Sequence, residues 1–236
     1  MGKSTHRLGA VASFGLGLAV WFGWGCAGVL AGPIAYWYFA QPPVDDAWGH
    51  KIETWQARER AEQRASGSEL PTPAVASGAD SDTATERPAD LRSKYAAFRQ
   101  QSKRALAREL AGWIQKQAKQ HYIADGPIDH WATLEETFRT NGDDCDGLEL
   151  LVYHLLRDLG FGKDEVFRAI VYRRNDEQHH MVTFWFEDPN DPWVIDSTGA
   201  MTFGMPRMSE VPGWAPLKVF SEDSNYNAEQ QWVAQQ

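Results

Sequence analysis

The sequence predicts an α+β domain with N-terminal helices and an antiparallel sheet, preceded by one transmembrane helix. Three observations carry that reading. Helical apolar spacings fill residues 91–122 and 148–159, strand-like runs joined by polar turns follow from residue 166, and residues 8–40 hold no charged side chain. Helices first, strands after, with hairpin-length links, is the order of an α+β domain.

Taken from the N-terminus, residues 1–7 form a short tail and residues 8–40 the expected anchor. About 20 apolar residues cross a bilayer as a helix, so this stretch is long enough. Gly32-Pro33 is expected to end the helix, and Tyr36, Trp37, Tyr38 and Phe39 read as an aromatic belt at the interface. A removed signal peptide fits less well, because the uncharged run is too long and Val29-Leu-Ala31 is only a passable cleavage site. A lipoprotein signal ending at Cys26 is weaker still, with Gly23-Trp-Gly before it. Gly28 and Gly32 form a GxxxG, which either lets a partner helix approach or is glycine tolerated in lipid. Lys3 and Arg7 favour a cytoplasmic N-terminus, yet Lys51, Arg58 and Arg60 also lie close to the span. Charge leaves the topology open.

Residues 41–88 are expected to be a juxtamembrane segment and flexible linker. Its first part, 45–65, is charged and poor in glycine and proline, which suits a short solvated helix. Residues 66–90 are rich in Ser, Thr, Ala, Pro, Gly and Asp, with almost nothing to bury. The domain proper, 89–236, then opens with Leu91, Tyr95, Phe98, Leu106, Leu110, Trp113, Ile114, Ala118 and Tyr122, which share one face of a long helix. A second helix after Cys145 carries Leu148, Leu151, Val152, Leu155, Leu156 and Leu159, and Gly160 and Gly162 stop it. Strands are predicted at 166–173, 181–186, 193–196 and near 217–220.

Composition excludes one class of function. The chain of 236 residues has a formal net charge of −9, and the first forty residues contribute only Lys3 and Arg7. An acidic body with no basic stripe does not neutralise phosphates, so nucleic-acid binding is set aside. The two cysteines, Cys26 and Cys145, fall in separate regions and are not expected to pair.

Cys145 sits where the second helix begins, between Asp143, Asp144 and Asp146. A lone cysteine is usually a small buried hydrophobe. Here its charged neighbours argue for exposure, and a helix start favours a thiolate, while the same carboxylates disfavour it. That tension points to a nearby cation. His180 begins one strand and shares a face with Val182, Phe184 and Phe186; Asp196 closes the apolar run that starts at Trp193. Each alone reads as a packing or turn residue. In the order nucleophile, base, orienting carboxylate they match a thiol triad.

Asp129-His-Trp-Ala-Thr-Leu-Glu-Glu-Thr137, Gly142-Asp-Asp-Cys-Asp146, His180-Met-Val182 and Val194-Ile-Asp196 together resemble the bacterial transglutaminase-like cysteine peptidases. The resemblance covers about residues 129–233. It implies a papain-like core, with Cys145 as nucleophile, His180 as general base and acid, Asp196 orienting the imidazole, and first-turn amides as the oxyanion site. Relatives include periplasmic proteases that release surface adhesins and bind calcium through acids flanking the cysteine. Asp144 and Asp146 match two of those positions; Gly147 stands where another acid is usual, Leu134 where proline is, and Ser197 where asparagine is common. No cofactor is required, and calcium is the one ion that the flanking acids could take. With residues 8–40 as the single-pass anchor in the inner (cytoplasmic) membrane, the resemblance implies a periplasmic domain that hydrolyses a peptide bond in a protein substrate. Trp131 is the candidate cleft wall. Two alternatives stay open: transamidation on the same triad, and a catalytically idle binding module attached to a membrane complex through Gly28 and Gly32.

Overall fold

The computed structural model describes residues 35–66 and 90–231. Six strands form one sheet in the order β1-β6-β5-β2-β3-β4, and every neighbouring pair runs antiparallel. The strands are β1 (Ala35–Ala40), β2 (Val166–Arg173), β3 (Gln178–Trp185), β4 (Trp193–Ile195), β5 (Trp214–Phe220) and β6 (Asn225–Gln231). The helices are α1 (Gly49–Ser66), α2 (Leu91–His121), α3 (Leu134–Thr140) and α4 (Cys145–Asp158). The α+β reading, with an antiparallel sheet, therefore holds.

Alternation along β2 and β3 divides the core in two. Val166, Ile170, Met181 and Trp185 face α1, α2 and α4 and pack with Ile52, Trp55, Ala111, Ile114, Leu150 and Leu156. Phe167, Ala169, Val171, Val182 and Phe184 line the other face, with Tyr38 and Phe186 set edge-on against them. Their edge-to-face rings are the preferred aromatic geometry.

Two N-terminal expectations change. Residues 35–40 are not a membrane-interface belt but β1, paired with β6, and Tyr38 is buried among Phe184 and Phe186. An uncharged strand continuous with an uncharged run carries no boundary in its composition. The 49–66 helix is not solvated all round either. Ile52, Trp55, Gln56 and Glu59 fall at helical spacing and are buried. Gln56 donates to the Ser221 carbonyl (2.7 Å), and Glu59 accepts from the Leu134 amide (3.3 Å) at the first turn of α3. Proline in place of Leu134 would have no such amide to offer. The domain therefore begins by residue 35 rather than 89. Among the described residues no helix is long and apolar enough to cross a membrane; residues 8–34 of the expected span, with Cys26, Gly28 and Gly32, lie outside them, as do residues 67–89 and Trp232.

The long helix also differs from expectation at its start. Leu91, Tyr95 and Phe98 are exposed, and the first buried side chain of α2 is Lys103, which pairs with Glu165 (2.5 Å).

Because Trp55 is fully buried against Phe220 and the Arg168 guanidinium, Trp55→Ala should destabilise the domain by about 3–5 kcal/mol, read from chemical denaturation. A fragment starting at residue 88 should show no cooperative unfolding transition.

Candidate active site

The loop that carries Cys145 is held at both ends by local chemistry. Thr133 and Glu136 form a reciprocal capping box at the start of α3, the Thr133 hydroxyl accepting from the Glu136 amide and the Glu136 carboxylate from the Thr133 amide. This gives a structural role to the Trp131-Ala-Thr-Leu-Glu-Glu136 segment. At the other end Asn141 takes the left-handed conformation (φ 59°) and Gly142 follows at φ 152°. A Cβ on Gly142 would lie 2.1 Å from the His121 carbonyl oxygen, so no other residue fits there. The close approach lets the Asp143 amide donate to His121 O (3.0 Å) and the Ile123 amide donate to Asp143 O (2.9 Å). The loop is thus clamped to the end of α2, and Asp144 caps α4 with Cys145 as its first residue.

Behind the loop lies a buried ion pair. Arg168 on β2 and Glu149 on α4 are both fully buried and meet at 2.6 Å. Glu149 also accepts from the Thr183 hydroxyl (2.7 Å), and Arg168 Nη2 donates to the Asp146 carbonyl (2.8 Å). The guanidinium stacks near Trp55, Trp131 and Phe220. Burial pushes the Glu149 carboxyl up, against the pull of Arg168 and Thr183.

His180 and Asp196 meet as their sequence order suggests. The register sets Phe184 opposite Val194, so two residues further on Asp196 joins the face that His180 shares with Val182. His180 Nε2 lies 2.8 Å from Asp196 Oδ1. The remaining lone pairs of Asp196 are filled by amides: Thr198 and Gly199 donate to Oδ1, Met201 and Thr202 to Oδ2. Burial opposes ionisation of Asp196, but His180 and the Thr202 and Met201 amides outweigh it and hold its pKa below the usual carboxylate value. An ionised Asp196 only accepts, so Nε2 carries the imidazole proton. Nδ1 has no hydrogen-bond partner among the described residues and is the acceptor nitrogen of the neutral ring. Trp214 packs on the ring at 5.9 Å.

Cys145, His180 and Trp131 line one cleft of about 240 Å³ together with Asp125, Asp129, Asp144, Asp146, Ile170 and Met181. Trp48 and His179 complete the walls, with Trp48 stacked on Trp131. Trp48 comes from the N-terminal segment and carried no signal of this role. Cys145 is half-buried and forms no hydrogen bond with His180 among the described residues. Burial raises the thiol pKa above its usual value, Asp144 raises it further, the Met181 amide lowers it, and Asp146 and Glu149 add to the rise. Burial, which the sequence did not reveal, is the largest influence on this thiol, and the carboxylates act in the same direction.

The acidic loop was expected to be exposed; instead Asp146 is buried and Asp143 and Asp144 are half-buried. Burial raises the pKa of both Asp143 and Asp146; Asp144 raises that of Asp146 further, while for Asp143 the Asp144 amide lowers it and the Asp144 charge raises it. Asp143 Oδ2 and Asp146 Oδ2 are buried without a hydrogen-bond partner, which in a carboxylate suits a hard cation such as calcium. Asp143 also fills the space beside Gly147: a Cβ there would lie 2.0 Å from Asp143 Oδ2. Among the described residues no three His, Cys, Asp or Glu side chains converge in a coordinating group.

Comparison with solved structures gives distant similarity. LapG from Legionella pneumophila is similar with a TM-score of 0.47 and 18% identity over 53% of this chain and 68% of that one. Calcium-bound LapG from the same organism is similar with a TM-score of 0.44 and 18% identity over 60% of this chain and 81% of that one. No family model and no curated protein matches the chain.

Two outcomes are expected. With the carboxylate of Asp196 favoured in the fold, its contribution to stability is present above the unfolded aspartate pKa and is lost as pH falls through its lower folded value. The melting-temperature gap between the wild type and Asp196→Asn should therefore be widest near neutral pH and close in strong acid. Gly147→Ala should displace the Asp143 carboxylate and cost about 1–3 kcal/mol in denaturant titrations.

Proposed function

We propose that this chain is a membrane-anchored cysteine peptidase. The observation that carries the reading is the buried pair of His180 and Asp196 at 2.8 Å, set in the cleft that Cys145 also lines. The pair leaves one imidazole nitrogen free, and a thiol stands at a helix start in the same cleft. Apo catalytic hydrogen bonds are often unformed until substrate binds, which accommodates the missing contact between Cys145 and His180.

In this reading His180 Nδ1 takes the Cys145 proton and the thiolate attacks the carbonyl carbon of a peptide bond. The oxyanion meets the first-turn amides of α4 other than that of Asp146, which donates to the Asp144 cap. As the C–N bond breaks, His180 returns the proton to the leaving amine and a thioester remains on Cys145. Water then attacks the thioester, His180 removing its proton, and the thiol and a carboxylic acid are released. Asp196 holds the imidazole in the needed tautomer throughout. Asp144 and Asp146, with Asp143 beside Gly147, would hold a calcium ion. Bound there, the ion would offset the negative charge that raises the Cys145 pKa.

Residues 8–34 would supply the anchor, since residues 35–40 are committed to the sheet. Placement in the inner membrane with the domain in the periplasm follows from the family resemblance.

Two observations favour a second reading. A raised thiol pKa and no contact with the imidazole are what a catalytically idle binding module would keep.

The test is to incubate the full chain with a proteome-derived peptide library, with and without calcium, and map products by mass spectrometry. New peptide termini are expected, absent in Cys145→Ala and His180→Ala, whose melting transitions should persist. Amine adducts in place of new termini would establish transamidation, and neither product would favour the binding module.

A further inference from the structure

The first turns of α2 stand clear of the domain with an apolar stripe turned outward. Leu91, Tyr95 and Phe98 are 82%, 68% and 70% exposed, and no α2 residue before Lys103 is buried. At about 100° per residue these three side chains fall within an arc of roughly 60°. On the same wheel Arg92 and Arg99 flank the stripe on one side and Lys94 on the other, while Ser93 and Gln100 lie opposite. Scattered exposed apolar residues are ordinary, but three in one stripe between cations are not.

Charge identifies the occupant. The chain carries 32 acidic residues against 23 basic, yet residues 91–108 contain six cations and no acid. Lys103 and Arg104 are engaged by Glu165 and Glu187, and Arg108 lies over Trp193. Arg92, Lys94 and Arg99 form no salt bridge among the described residues. A helical partner is a poor fit, because the stripe meets Ser102 after two turns and a coiled-coil seam needs several heptads. Aliphatic and aromatic side chains on a narrow face, with long cations reaching out on both sides, instead match a planar surface that is apolar below and anionic above.

We propose that residues 91–102 of α2 are an interfacial helix that docks on an anionic lipid surface. Leu91, Tyr95 and Phe98 enter the boundary between headgroups and acyl chains, and Arg92, Lys94 and Arg99 meet the lipid phosphates. The inference does not depend on the peptidase reading. It adds a reversible membrane contact on the folded domain itself.

The test is hydrogen exchange of the full chain in nanodiscs of zwitterionic phosphatidylcholine and in nanodiscs enriched in phosphatidylglycerol. Amides of residues 91–100 are expected to exchange at least about tenfold more slowly in the anionic discs, with the difference shrinking at high ionic strength. Arg92→Glu/Lys94→Glu/Arg99→Glu should remove the protection, as should Leu91→Ser/Tyr95→Ser/Phe98→Ser, with the rest of the domain exchanging as before. Equal exchange in the two lipids would overturn the proposal. So would protection in lipid-free detergent that grows with protein concentration, which would assign the stripe to a second copy of the chain.

Discussion

The buried pair of Arg168 and Glu149 is the constraint on which the rest of the site depends. One side chain stands on the central strand of the sheet and the other on the helix that starts with Cys145, and neither reaches solvent. Removing one partner of such a pair typically costs about 3–5 kcal/mol, because the other charge is left buried and alone. The pair also binds the Thr183 hydroxyl on β3 and the Asp146 carbonyl in the first turn of α4. The strand that bears His180 and the helix that bears Cys145 are therefore registered through one guanidinium and one carboxylate. Trp55 and Trp131 close over that guanidinium, which explains why α1 and the segment before α3 are integral to the fold.

Much of this was legible in the sequence. Residues 91–122 and 148–159 show the helical period plainly, and the strands at 166–173 and 193–196 fall almost where they were expected. The order of Cys145, His180 and Asp196 also pointed to partners that the sheet register then brings together in the case of His180 and Asp196. What failed had physical causes. β1 is as apolar as the run before it, so no change of composition marks where a sheet strand begins. α1 buries Gln56 and Glu59 beside Ile52 and Trp55, and those polar residues mask its inner face. β6, Asn-Tyr-Asn-Ala-Glu-Gln-Gln, is half-exposed and lacks apolar alternation. Leu91, Tyr95 and Phe98 have core spacing but no core beneath them. Lys103 and Arg168 are cations inside the domain, and only their partners in space account for them.

The electrostatics of the loop set the operating condition of the site. Three aspartates fall within four positions, two of them with a buried oxygen lacking a donor; burial raises the pKa of Asp143 and Asp146, and burial and then the Asp144 charge oppose ionisation of the thiol between them. Asp196 has the opposite environment, an imidazole and four amides, and stays ionised. Under the proposed roles, the fold holds the base and its orienting group together, while burial first and the neighbouring carboxylates second disfavour the thiolate.

The most direct measurement is the alkylation rate of Cys145 against pH in the full chain carrying Cys26→Ser, with calcium and with chelator, beside the same chain with His180→Ala. A thiolate–imidazolium pair predicts a rate that stays high well below the free-thiol pKa of about 8.5 when calcium is present, and that collapses in the His180→Ala chain. Rates that follow an ordinary or raised thiol pKa equally in both chains, whatever the calcium, would contradict the triad.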